Sequence, residues 1–142
     1  MKASRWLRAA SVLLALFFLG HTAGILLSRS SGPEEDAVLQ AMRAFRFDVM
    51  GSNRSIWDFY LGMNLFASLS LAILVVLVWQ LANRVRVDSA GLRPLVATLF
   101  GGLVLMAVLC WKYFFAAPAG LSTLAAGCAF MAWLSANSSR PV

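Results

Sequence analysis

Residues 56–81 read IWDFYLGMNLFASLSLAILVVLVWQL. Beyond Asp58 this run carries no charged side chain. A bilayer core about 30 Å thick is crossed by about 20 apolar residues in a helix. The run is therefore long enough to span a membrane. Three other stretches have the same character: residues 9–27 (AASVLLALFFLGHTAGILL), 95–115 (LVATLFGGLVLMAVLCWKYFF) and 119–134 (AGLSTLAAGCAFMAWL). The last is short, and spans if it stands nearly upright or the bilayer thins.

Composition agrees. Of 142 residues, 61% are hydrophobic and 13% charged, against about 25% charged in ordinary soluble domains. So few charges cannot cover a water-facing surface. The expected fold is all-α, a four-helix transmembrane bundle forming one domain over residues 1–142. The first run also has the basic flank of a secretory signal peptide. A small residue is wanted where His21 stands, and the apolar run continues through Ile25, Leu26 and Leu27. An uncleaved helix is the preferred reading.

The net charge of +6 would suggest nucleic acid in a soluble chain. Here the basic residues lie between apolar runs and read as topology, so no nucleic-acid partner is expected. Lys2, Arg5, Arg8, Arg84, Arg86, Arg93 and Arg140 fall on one side of the spans, with Asp88 alone opposing them. Arg29, Arg43, Arg46, Arg54 and Lys112 on the other side are balanced by Glu34, Glu35, Asp36, Asp48 and Asp58. The positive-inside rule puts the first side, and both chain ends, in the cytoplasm.

The longest segment outside the spans follows Ser28. Ser31 is placed to cap a helix whose first turn is Pro33-Glu34-Glu35-Asp36, an acidic turn suited to the macrodipole. Val38, Met42, Phe45 and Val49 recur at helical spacing, predicting an amphipathic helix over 33–50 that lies on the membrane or over the bundle mouth. A tight turn is expected at Met50-Gly51-Ser52-Asn53. Ser55-Ile56-Trp57-Asp58 has the spacing of a capping box and marks the start of the second span. Pro94 fits the first turn of the third span, and residues 116–120 read as the turn between the last two.

Polar residues within spans are costly in lipid and mark candidate sites. His21, the single histidine, lies roughly 10–12 Å below the outer end of its span at 1.5 Å per residue. Asn64 lies at similar depth, and Trp57 and Tyr60 share its helical stripe. Arg54 and Asp58 are i, i+4 about the helix start, close enough to touch if Arg54 joins the first turn. Trp111, Lys112 and Tyr113 reach the same outer side. The expected ligand-binding set is His21, Asp58, Asn64, Tyr60, Arg54 and Trp57, forming an outer-leaflet polar and aromatic face.

Each residue has a structural alternative. His21 and Asn64 can hydrogen-bond helices together, Asp58 can cap its own helix, and the aromatics can form an interfacial belt. Gly20 and Gly24 have the spacing of a small-residue seam for close helix packing.

Several chemistries are disfavoured. One histidine does not provide two imidazole ligands for a haem. Cys110 and Cys128 form no CxxC pair and no Cys/His cluster, which argues against zinc and thiol exchange. No acidic residue lies deeper than Asp58, as an ion-coupled exporter would want. No Ser or Asp is spaced to make His21 a hydrolytic base. Neither a cofactor nor a metal is expected.

The block Phe47-Asp48…Gly51…Arg54-Ser55…Trp57-Asp58-Phe59-Tyr60…Gly62, with His21-Thr22-Ala23-Gly24, resembles an uncharacterised family of small four-helix bacterial inner-membrane proteins over nearly the whole chain. In size and helix count the chain is also similar to DoxX-like membrane proteins, without a shared motif. The resemblance implies fold and an inner (plasma) membrane location, and no activity. The expected function is binding of a lipid-like molecule or a partner through the outer-leaflet face. The alternative is a membrane enzyme or small transporter acting on a lipophilic substrate. Expected partners are membrane lipids, a lipophilic small molecule, or a second copy of the chain.

Overall fold

A computed structural model of the chain describes residues 2–136. Arg140 and Val142, which enter the charge balance and the C-terminal topology, lie outside the described residues. The element order is α1 (Lys2–Leu27), α2 (Pro33–Ala44), β1 (Arg46–Val49), β2 (Ser52–Ser55), α3 (Ile56–Arg84), α4 (Arg93–Tyr113) and α5 (Ala116–Ala136). α1, α3, α4 and α5 are long and apolar enough to cross a membrane. The architecture is that of an all-α, multi-pass membrane protein.

The chain forms two compact units, one made of Met1–Leu19 with Leu71–Val142, the other of Gly20–Ser70. α1 and α3 each contribute to both. The first unit holds a hydrophobic cluster in which Leu7 and Leu14 of α1, Val78 of α3, and Val96 and Leu103 of α4 are almost wholly buried. α5 meets it with a seam of small side chains: Ala119, Ser122, Ala125, Ala126, Ala129, Ala132 and Ala136. Lipid tails are as apolar as leucine, so helices in a bilayer gain little by hiding apolar surface from each other. They gain by close backbone approach, which small residues allow. The small-residue seam therefore lies on α5. A Cβ added at Gly20 or Gly24 would meet nothing within 4 Å, so the expected glycine seam on α1 makes no such contact among the described residues.

α5 is longer than its sequence run, because residues 116–120 are helical. The connection from α4 is only Phe114 and Phe115. Pro118 sits in the first turn of α5, where a missing N–H leaves no gap in the ladder. Several hydroxyls within the spans bond back to their own helix. Ser122 Oγ donates to the Pro118 carbonyl at 2.8 Å and Thr123 Oγ1 to that of Ala119 at 2.7 Å. Such bonds satisfy polar groups where no water is present.

The second unit differs from expectation between Phe45 and Ser55. α2 stops at Ala44, and Phe45 turns extended. Residues 46–55 form an antiparallel hairpin in the register Arg46↔Ser55, Phe47↔Arg54, Asp48↔Asn53 and Val49↔Ser52. Its loop is Met50-Gly51, with φ of +50° and +81°, the left-handed pair that a two-residue loop between right-twisted strands requires. The expected helix over 33–50 is thus a helix over 33–44 followed by a strand. Phe45, Phe47 and Val49 also alternate with Arg46 and Asp48, a period of two that competes with the helical reading of the same residues. No residue of α2 is buried, and Val38 and Phe45 are each 60% exposed. At the start of α2, Gly32 is the capping position and carries no side-chain cap. The Ser31 N–H instead donates to the Glu35 carboxylate at 2.7 Å.

Candidate functional site

β2 passes into α3 at Ser55-Ile56, and the junction is held by a reciprocal pair of hydrogen bonds. The Ser55 N–H donates to the Asp58 carboxylate at 2.8 Å, and the Asp58 N–H donates to Ser55 Oγ at 3.1 Å. This is the capping box that the S-x-x-D spacing predicted. It commits Asp58 to its own helix end. Of the two roles weighed for Asp58, the cap is the one formed, and the Arg54 guanidinium donates to the Asn53 carbonyl at 3.2 Å. Arg54 belongs to a strand, which carries it away from the helical i, i+4 position.

Next to this junction an open groove of about 640 Å³ runs along α3, lined by Arg54, Asp58, Phe59, Gly62, Met63, Phe66 and Ala67. Gly62 and Ala67 contribute little or no side chain to its lining, whereas Phe59, Met63 and Phe66 are bulky. The groove is apolar along the helix and charged at the Arg54/Asp58 end. The aromatic side of the hairpin leans on it, with Phe47 stacked on Phe59 at 5.5 Å between ring centroids and Phe45 at 6.0 Å from Phe47. Behind Arg54, Arg46 donates to Asn53 Oδ1, and Asn53 Nδ2 donates to Asp48 at 3.0 Å. These bonds pin the two strands side chain to side chain.

The remaining expected site residues lie elsewhere. At 3.6 residues per turn, Trp57, Tyr60, Asn64 and Ser68 fall on the side of α3 roughly opposite Asp58, Gly62 and Phe66. On that side His21 Nε2 donates to the Asn64 main-chain carbonyl at 3.2 Å, and Thr22 Oγ1 donates to Ser68 Oγ at 3.1 Å. The Asn64 amide donates to the Tyr60 carbonyl of its own helix at 2.7 Å. Trp57 packs on Tyr60 at 5.5 Å, and the Arg43 guanidinium lies 4.6 Å from the Trp57 ring centre. The two histidine-side bonds stitch the end of α1 to α3, the helix-packing role weighed for His21. His21 and Asp58 therefore do not meet on one surface. Trp111, Lys112 and Tyr113 belong to the other unit, where Trp111 Nε1 donates to Thr123 Oγ1 at 3.0 Å and Lys112 lies over Tyr113.

Phe59, Met63, Phe66 and Ala67 are not among the expected site residues. The available signal was the i, i+3/i+4 series Phe59, Gly62, Met63, Phe66 and Ala67, bulky apolar residues interrupted by small ones at 62 and 67. Among the described residues no group of three His, Cys, Asp or Glu is placed to hold a metal ion. In comparisons with known proteins, no family model, no curated protein and no solved structure matches the chain.

Proposed function

We propose that this multi-pass membrane protein binds a phospholipid-like molecule in the α3 groove, with an acyl chain along Gly62, Met63 and Phe66 and the headgroup phosphate at Arg54. The observation that carries this reading is the groove itself, apolar along a membrane-spanning helix and ending on the Arg54 guanidinium beside an Asp58 carboxylate that is engaged in the capping box. An acyl chain already in the bilayer gains no transfer energy by entering the groove. Selectivity must therefore come from how well the walls fit the chain and from the charge-assisted hydrogen bonds at the headgroup. Arginine suits that task, since its planar fork matches phosphate oxygens.

The same proposal places the protein with the small four-helix bacterial inner-membrane proteins it resembles, with both chain ends cytoplasmic. The one-sided excess of basic residues supports that orientation. A catalytic reading needs His21 and Asp58 to act on one substrate, and their positions on opposite sides of α3 weigh against it.

The test is photo-crosslinking in proteoliposomes with a phospholipid carrying a diazirine on its acyl chain. Label is expected on the peptide containing Gly62 and Met63. Arg54→Gln removes charge-assisted hydrogen bonds of about 1.5–3 kcal/mol, so labelling should fall by about tenfold or more. Uniform labelling of all four spans, or labelling indifferent to Arg54→Gln, overturns the reading. Cross-linking of the groove to a second copy of the chain would assign the face to self-association instead.

A further inference from the structure

Within the first unit, two arginines share an arrangement that membrane topology does not require. Arg8 of α1 lies with its guanidinium carbon 5.3 Å from the centre of the Trp79 ring, and its Nη2 donates to Asn83 Oδ1 at 3.1 Å. Arg93 of α4 lies 4.7 Å from the centre of the Trp133 ring. In both, Nε is buried and has no acceptor among the described residues. A buried donor on a cation is costly to leave unpaired. The acidic residue nearest in sequence to Arg93, Asp88, accepts from the Gly91 N–H at 2.8 Å. Four further cations, Lys2, Arg5, Arg84 and Arg86, stand in the same two segments.

Position identifies what acceptor would meet them. Arg8 immediately precedes the apolar run of α1, and Arg93 stands two residues before that of α4. Both are therefore at the depth where a span meets the headgroups, and tryptophan is favoured at that depth. Leu7, next to Arg8, belongs to one hydrophobic cluster and Leu92, next to Arg93, packs against it, so both arginines stand on anchored backbone. Because Nε is buried in both and Arg8 Nη2 is engaged with Asn83 Oδ1, the N–H groups left for an anion are the other terminal ones, Nη1 of Arg8 and the two Nη groups of Arg93.

We propose that the Arg8–Trp79 and Arg93–Trp133 pairs are two seats for the phosphate of anionic lipid headgroups. Each seat holds one phosphate on the guanidinium edge, with the indole as its floor. The inference depends on the membrane-spanning architecture and not on the α3 groove.

The test is native mass spectrometry of the full chain released from nanodiscs of equimolar phosphatidylglycerol and phosphatidylcholine. The unaltered protein should retain phosphatidylglycerol preferentially. Arg8→Gln/Arg93→Gln should reduce that preference by about fivefold per arginine. Arg5→Gln/Arg86→Gln removes the same charge from residues that lie over no indole among the described residues, and should leave most of the preference. Trp79→Leu/Trp133→Leu keeps all charges and should cost about twofold to fivefold per indole; this pair serves if the arginine variants fail to fold. Equal retention of the two lipids overturns the proposal, as does an equal loss in the Arg5/Arg86 variant, which would show diffuse attraction only. Inorganic phosphate that binds without lipid and displaces phosphatidylglycerol would assign the seats to a soluble anion and overturn the lipid assignment.

Discussion

Gly62→Leu separates the groove from the helix that builds it. A Cβ at position 62 meets nothing within 4 Å, so the added side chain has room and enters the groove. Glycine inside a helix is less favourable than leucine by up to about 0.8 kcal/mol, so the variant should be as stable as the parent or slightly more so. Binding should move the other way. Each atom pair in contact contributes about 0.1–0.2 kcal/mol. An acyl segment lifted off Phe59, Met63 and Phe66 forfeits on the order of ten such contacts, or about 1–2 kcal/mol. That corresponds to about fivefold to thirtyfold weaker retention, with no hydrophobic term to add because the displaced chain returns to lipid. Thermal unfolding in detergent micelles reads the first quantity, and acyl-diazirine labelling at equal protein reads the second. Undiminished labelling in a folded Gly62→Leu protein would refute the groove as the lipid site. A large loss of stability would show that position 62 is packed, against the geometry.

Two further outcomes are expected. Ser55→Ala removes one half of the capping box at a buried position and should cost about 1 kcal/mol, seen as faster amide exchange over the first turn of α3; unchanged exchange there would mean the cap contributes nothing. Reporter fusions within the Arg84–Arg93 loop should report cytoplasm and fusions near Ser31 or Pro118 the opposite side, and a cytoplasmic signal from Ser31 would reverse the proposed orientation.

The four spans were legible in the sequence because lipid imposes a length and a composition on each helix separately. α3 illustrates this, since its identity needs no knowledge of any other element. The Ser55–Asp58 box was legible for the same reason, both partners lying within four residues. Where two local patterns overlap, the sequence was ambiguous. Residues 45–49 fit a helical stripe and a strand alternation alike, and pairing with Ser52–Ser55 across the Met50-Gly51 loop selects the strand. Glycines 20 and 24 advertised a packing seam, whereas the buried small residues are those of α5. A small residue permits close approach without specifying which helix comes near. The candidate site divides in the same way. Sequence placed polar residues at one depth, since depth follows from distance along a helix. Which side of α3 each residue of that helix occupies also follows from its spacing; what stands opposite each side, and that Arg54 joins a strand, depended on tertiary contacts. His21 goes to the Asn64 carbonyl, and Arg54, carried by a strand, goes with Gly62 and Phe66 to the groove. Membrane-spanning character is a property of each segment's own solvent, while a groove exists only in the space between side chains that the fold has brought together.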